Sequence, residues 1–303
     1  MAWELKKKRE EKGQKNNSTA IIKNKPLFSL FMVKSDIIPT LQKLTRHQHL
    51  EITARGDAAI AAALSAIPKD KVVLIPEEGG WLSYLKIPKK LGLKATEVKC
   101  DDAKINLSGL QKKLNEFSCG ALLYQNPGGY FAEQPMKEIY NVCRKNNCLV
   151  IMDVSGSIGT KLCDGNYADV LVGSFGEWKL VEAKAGGFVS CKSKKLFEKI
   201  KPFCKIFDDD EKLKIISNKI QELPERISFL TEKRKKIIAD LEYFDIVHKQ
   251  DLGFVAVVKY QTQQEKEKII NYCKDKQLPW TECPRYIRLN KPAISIEVKR
   301  LEK

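Results

Sequence analysis

Asp169-Val170-Leu171-Val172-Gly173-Ser174-Phe175-Gly176-Glu177-Trp178-Lys179 opens as a short apolar run and closes on a turn bearing a serine, two aromatics and a lysine. An unbroken apolar run of this length is the pattern of a strand buried on both faces. Lys71-Val72-Val73-Leu74-Ile75-Pro76, Ala121-Leu122-Leu123-Tyr124, Leu149-Val150-Ile151-Met152 and Gly187-Phe188-Val189-Ser190-Cys191 share that texture, and Lys94 to Lys99 adds another strand. Helical stretches lie between them: the alanine-rich Ala58 to Leu64, Trp81 to Leu91, and Met136 to Asn146. Strands alternating with helices predict an α/β fold, a mainly parallel sheet covered by helices on both faces. Such sheets bind ligands beyond the carboxyl ends of their strands. The residues just past each run are therefore where chemistry is sought.

Outward from this core, residues 50–200 read as one large domain. Residues 1–49 read as a tail or arm, the first 20 being polar and charged enough for a frayed helix. Past residue 200 the texture changes. Asp208-Asp209-Asp210 precedes a long amphipathic stretch, Glu211 to Tyr243, that contains Pro224. A strand (Phe254 to Lys259), a helix (Gln264 to Asp275) and a strand pair around Tyr286-Ile287-Arg288-Leu289 and Ile294 to Glu297 follow. Residues 201–303 thus form a small α+β unit, and neither repeats nor a low-complexity linker are present.

The chain of 303 residues is 43% hydrophobic, ordinary for a globular protein. No apolar run approaches the ~18 residues needed to span a bilayer. The charged N-terminus lacks a signal-peptide stretch, and Glu4, Glu10 and Glu11 argue against a transit peptide. A cytoplasmic protein with no membrane partner is expected. Nine cysteines, scattered singly and mostly beside apolar residues, suit buried thiols in a reducing compartment. The net charge of +16 is spread along the helices beside glutamates, with no nucleic-acid-binding motif. His47, His49 and His248 sit in loop or surface contexts without metal spacing, so no metal site is expected.

Four strand ends and one helix start carry the candidate residues. Arg55-Gly56-Asp57-Ala58-Ala59 opens a helix whose N–H groups and dipole suit a phosphate. Gly79-Gly80-Trp81, Asn126-Pro127-Gly128-Gly129-Tyr130 and Asp153 each follow an apolar run, as does Ser174 to Lys179, with Gly186-Gly187 shortly after. Pyridoxal phosphate makes a matching set of demands: a lysine for a Schiff base, a carboxylate at the pyridine nitrogen, an anion cradle and an aromatic face. One sheet edge offers a candidate for each.

In this order and spacing the motifs resemble those of the aspartate aminotransferase superfamily, fold type I of the pyridoxal-phosphate enzymes, and especially its DegT-like branch. The resemblance implies a seven-stranded type of large domain with a small C-terminal domain. It implies that Lys179 forms the Schiff base, with Lys184 as the alternative lysine. Asp153 would pair with the ring nitrogen, and Asn126, 27 positions earlier, would meet the phenolic oxygen. Ser174 and the Gly56-Asp57-Ala58 turn would hold the phosphate, and Trp81, or Tyr84 one turn on, would stack on the ring. Arg288 resembles the arginine that grips the substrate α-carboxylate; on a strand it would share a face with Tyr286, opposite Arg285. A homodimer with the site at the subunit boundary is also implied. Each residue has an ordinary reading as well: Lys179 and Arg55 as solvent charges, Asp153 as a cap, Asn126 as a turn former, Trp81 as core.

Three departures leave the substrate open. The chain is short for the superfamily, Gly156 stands where many relatives place His or Gln against the ring, and a second arginine for a dicarboxylic substrate is not evident. The leading expectation is an aminotransferase with a small-molecule amino donor and keto acceptor. One alternative is elimination or β-replacement on cysteine or a tRNA-linked amino acid. The basic charge suits tRNA, and Cys163 and Cys283 are the candidate sulfur nucleophiles. The other is a non-catalytic fold relative serving as a binding protein.

Overall fold

The structure is a computed structural model that describes residues 27–302 apart from residue 206. The tail expected over residues 1–20 lies outside the described residues. The chain begins with α1 (Leu27–Thr45), β1 (His49–Thr53), α2 (Gly56–Ser65), β2 (Val72–Pro76), α3 (Ser83–Lys90) and β3 (Lys94–Val98). A small hairpin, β4 (Cys100–Asp101) and β5 (Lys104–Ile105), leads into α4 (Leu107–Glu116), β6 (Cys119–Gln125), α5 (Met136–Lys145) and β7 (Leu149–Asp153). Then come β8 (Val170–Ser174), β9 (Gly187–Cys191), α6 (Lys194–Ile200), α7 (Asp210–Gln221) and α8 (Leu223–Asp240). The C-terminal unit adds β10 (Ala256–Lys259), α9 (Gln263–Asp275), β11 (Trp280–Cys283) and β12 (Ala293–Ile296).

Seven strands form the central sheet in the order β1-β9-β8-β7-β6-β2-β3. The apolar runs make its interior; every residue of β6 is buried. All the strands run one way except β9, which lies antiparallel between β1 and β8. A parallel return needs a crossover, usually a helix. The segment between β8 and β9 contains none, so β9 reverses directly and the loop carrying Lys179 spans the turn. Alanines let α2 lie close over β8 and β9, sealing a core of Ile60, Leu64, Leu123, Ile151 and Val189. The larger core runs from Leu122 and Met152 through Ile216 of α7 to Phe254 and Ile294, so the two units share one interior.

Three sequence expectations change. Residues 27–49, read as part of a tail, include α1 and the start of β1; α1 packs on α7, and β1 pairs with β9 in the sheet. The amphipathic stretch at 211–243 is two helices, broken where Pro224 begins α8 without an N–H to donate. Tyr286 to Leu289 is a turn rather than a strand. The antiparallel partners of β12 are β10 and β11. Among the described residues no helix is long and apolar enough to cross a membrane, and no group of His, Cys, Asp or Glu is arranged to hold a metal.

Candidate active site

A cavity of about 500 Å³ opens at the carboxyl ends of β6, β7 and β8. A wider hollow of about 680 Å³ lies at the opposite, amino ends of these strands and holds none of the residues singled out above. Lys179, Asp153, Trp81, Ser174, Gly56, Asp57 and Arg288 all line the first cavity, as do Arg55 and Lys184. Lys179 Nζ donates to the Tyr130 hydroxyl. It lies 5.1 Å from the Trp81 ring centre and 5.0 Å from that of Tyr130.

Asp153 closes β7. One oxygen, Oδ2, accepts from the buried Tyr84 hydroxyl at 2.8 Å; the other, Oδ1, accepts from the Ser155 amide at 2.9 Å. Burial, and then the Asp153 carboxylate beside it, raise the Tyr84 pKa well above that of an ordinary phenol, so Tyr84 stays a donor. Tyr84 therefore serves the carboxylate, whereas Trp81 lines the cavity together with Tyr130 and Trp178. Asp57 in turn holds Trp81: its carboxylate accepts from the indole Nε1 at 2.9 Å and from Ser83 at 2.8 Å.

At the other end of the cavity no side chain caps α2. A Cβ on Gly56 would lie 2.6 Å from Ser174 Cβ, so only glycine lets the helix start meet the end of β8. The Ala58 amide is spent on the Arg55 carbonyl, which leaves the cradle to Gly56, Asp57 and Ser174.

Asn126 is not at this edge. It is wholly buried, its amide nitrogen against Leu162 and two methionines and its oxygen accepting from the Gln134 amide at 3.1 Å. Register explains the displacement. Gln125 pairs with Asp153 across β6 and β7, and alternation turns the next side chain to the other face. Gln125, 2% exposed, lines the cavity, and its Nε2 has no hydrogen-bond partner. A buried, unpaired donor aimed into a cavity is costly unless a ligand meets it.

Gly156 finds its reason too. A Cβ there would come within 2.6 Å of the Tyr130 ring, so Tyr130 fills the space that a larger residue would take. Tyr130 is held at φ 68°, in the left-handed region. A strained residue of this kind persists where its surroundings over-determine it, often at a functional site.

Arg288 reaches the cavity from a turn and is already engaged. Its Nη2 and Nε donate to Glu297 at 2.6 and 3.0 Å, and Nη1 to the Ile287 carbonyl at 2.7 Å. Burial opposes the Glu297 charge, but Arg288, Lys299 and Arg300 outweigh it and hold the carboxyl down at about 2. Lys299 also lines the cavity and was not singled out in the sequence.

The thiols offer no nucleophile. Cys163 and Cys283 are buried rather than in open loops. Burial pushes the Cys163 thiol up to about 12 and raises that of Cys283. His47 is likewise buried, with ring nitrogens 3.1 Å from Ser190 Oγ and the Gly165 carbonyl, a packing role.

The chain matches the DegT/DnrJ/EryC1/StrS aminotransferase family over residues 36–221. It belongs to that family. Pyridoxal phosphate is the cofactor that goes with such enzymes. No curated protein matches the sequence. Among solved structures, serine palmitoyltransferase from S. paucimobilis is 14% identical, covering 88% of this chain and 71% of its own, with a TM-score of 0.69. 3-Amino-5-hydroxybenzoic acid synthase is 12% identical over 90% of both chains, TM-score 0.67. Ureidoglycine–glyoxylate aminotransferase from Bacillus subtilis is 10% identical over 90% and 80%, TM-score 0.66. At such identities these likenesses speak for the fold. The cavity's own residues fit the cofactor: an amine above an indole, an anchored carboxylate, an uncapped helix start against a serine, and an orphaned amide donor.

Proposed function

We propose that this member of the family is a pyridoxal-phosphate enzyme that moves an amino group between a small-molecule donor and a keto acceptor, with the cofactor attached at Lys179. The observation that carries this reading is the convergence on one cavity of the Lys179 amine, on the loop after β8, and the Asp153 carboxylate, at the end of the adjacent parallel β7. When bound, pyridoxal phosphate supplies a ring that draws electrons from the bonds of the substrate α-carbon.

The chain's residues then have distinct tasks. Asp153, fixed at both oxygens by Tyr84 and Ser155, holds a proton on the ring nitrogen. Gly56 and Asp57 amides with Ser174 Oγ would hold the phosphate at the positive end of α2, and Trp81, steered by Asp57, would stack on the ring. Gln125 donates its unpaired amide hydrogen into the same space. Lys179 Nζ would hold the cofactor at rest and would serve as the general base that takes the substrate α-proton and the general acid that returns it. The Tyr130 hydroxyl orients that amine. The working unit is a homodimer in the cytoplasm.

The test begins with an absorption spectrum. Protein mixed with pyridoxal phosphate gains a band near the visible edge; borohydride abolishes it and adds the cofactor's mass to the peptide containing Lys179. Lys179→Ala shows neither change. An unaltered spectrum in that variant refutes the attachment. Single-turnover mixing with a panel of amino acids then shows transfer as conversion to the pyridoxamine form. Retention of the original form with every donor refutes amino transfer.

A further inference from the structure

The cavity wall built from residues 285–300 carries more positive charge than it can neutralise internally. Glu297, with no side-chain exposure, is the carboxylate shared by Arg288, by Lys299 at 3.7 Å and by Arg300 at 3.6 Å. It also accepts hydrogen bonds from Thr281 and Ser295 at 3.1 Å. Three cations thus surround one anion, and Arg288 takes its best bonds.

Arg300, its Nε buried without a hydrogen-bond partner, and Lys299 are the cations left short, and Lys299 is the more buried of the two. It is 7% exposed, and its ammonium makes no hydrogen bond among the described residues. Its Nζ sits 4.9 Å from the centre of the Tyr130 ring and 5.4 Å from that of Trp178. Lys179 lies over the same Tyr130 ring at 5.0 Å. A group held by Lys299 therefore shares the cavity with the amine proposed to handle the substrate α-carbon.

We propose that Lys299, rather than Arg288, receives the substrate's carboxylate and so sets the enzyme's preference for anionic substrates. The proposal rests on the amino-transfer reading above. An aromatic floor and a buried ammonium with an unfilled shell give a carboxylate a strong donor whose tie to Glu297 is only an ion pair at 3.7 Å. Guanidinium exchange at Arg288 would instead require a buried pair to be broken first, a cost of several kcal/mol.

The electrical setting adds a second signature. Burial first, then Arg288 and Lys179, push the Lys299 amine down to about 7, against the pull of Glu297. The charged and titratable groups around it are Arg288 from the 284–289 turn, Glu297 and Arg300 from its own segment, Lys179 from the β8–β9 loop, and Tyr130 from the loop after β6. An arriving carboxylate restores the protonated form, so binding above pH 7 takes up a proton.

Succinate, which has no amine and cannot react, is the probe. It is titrated calorimetrically into the cofactor-loaded protein at pH 8, in two buffers of different ionisation heat. The wild type is expected to bind it saturably with net proton uptake. Lys299→Met should bind about ten- to hundredfold more weakly, as for loss of a charged hydrogen bond, with no uptake. Lys299→Arg, which keeps the charge but does not titrate, should recover affinity without uptake. The absorption band, unchanged in both variants, reports an intact cofactor site. Succinate affinity within about twofold of wild type in Lys299→Met, well below that charged-bond effect, overturns the proposal. So does a wild type that binds no succinate, or a variant that loses cofactor instead, which would make Lys299 a phosphate ligand. If the wild type shows no cofactor band at all, the amino-transfer reading has failed, whatever Lys299 does.

Discussion

Replacing Glu297 by Gln tests the electrostatic frame of the site. The carboxylate is buried, bonded to Arg288 at 2.6 and 3.0 Å, and faced by Lys299 and Arg300. The amide keeps the shape and removes the charge, leaving three cations without a counter-ion. Breaking a buried pair from one side costs about 3–5 kcal/mol, because the surviving charge stays desolvated. Linkage gives a similar figure. The carboxyl lies at about 2 instead of 4.5, a gap worth about 3 kcal/mol. Its folded value is depressed, so this stability is fully present above pH 4.5 and is lost as pH falls through 2. Urea unfolding followed by tryptophan fluorescence at pH 7 should show Glu297→Gln less stable by about 3–5 kcal/mol, with a flatter acid limb than wild type between pH 4.5 and 2. Adding Arg288→Met should restore at least half of the loss, since the pair is then removed rather than split. A single variant within about 1 kcal/mol of wild type, the scale of an exposed pair, would refute the reasoning.

Three further outcomes follow from the cavity. Gln125→Leu removes a donor that bonds nothing in the protein, so the cofactor-free form should unfold no more easily, while pyridoxal-phosphate affinity, read by fluorescence quenching, falls about tenfold. Gly56→Ala drives a methyl into Ser174 and should cost about 1–3 kcal/mol in thermal unfolding, with added free phosphate no longer raising the melting temperature. Tyr84→Phe leaves an oxygen of Asp153 without its donor. Turnover should drop about tenfold and the absorption band should titrate at a different pH, whereas a purely structural tyrosine would leave the titration unmoved.

The apolar runs were legible because strands covered on both faces show no alternation. β1 escaped because His49-Leu50-Glu51-Ile52-Thr53 is half polar and makes no apolar run. The direction of β9 was within reach, since a helix-free connection after β8 permits only a reversal. Asn126 shows what spacing alone misses. Its distance from Asp153 along the chain says nothing about which residue pairs with Asp153 across the sheet, and the pairing chose Gln125. Gly156 and Tyr130 explain each other only once they touch. Lys299 had no signal at all in so lysine-rich a chain, because burial and neighbouring charge, not residue type, set it apart. Arg288 was found in the sequence at the cavity, but its companion Glu297 was not.

The wall from residues 285–300 is the last part of the described chain to be made. The Gly56 turn, Asp153 and the Lys179 loop all leave the ribosome well before it. On the amino-transfer reading, a nascent chain then carries every group assigned to the cofactor while still lacking those assigned to the substrate. In a released chain the Asn290 amide, donating to the Glu78 carboxylate at 2.6 Å, and the Tyr286 carbonyl, accepting from the Gly79 amide at 2.7 Å, tie the late segment to the early one. Assembly thus has a built-in sequence, in which the capacity to react precedes the capacity to discriminate until the C-terminal turn docks.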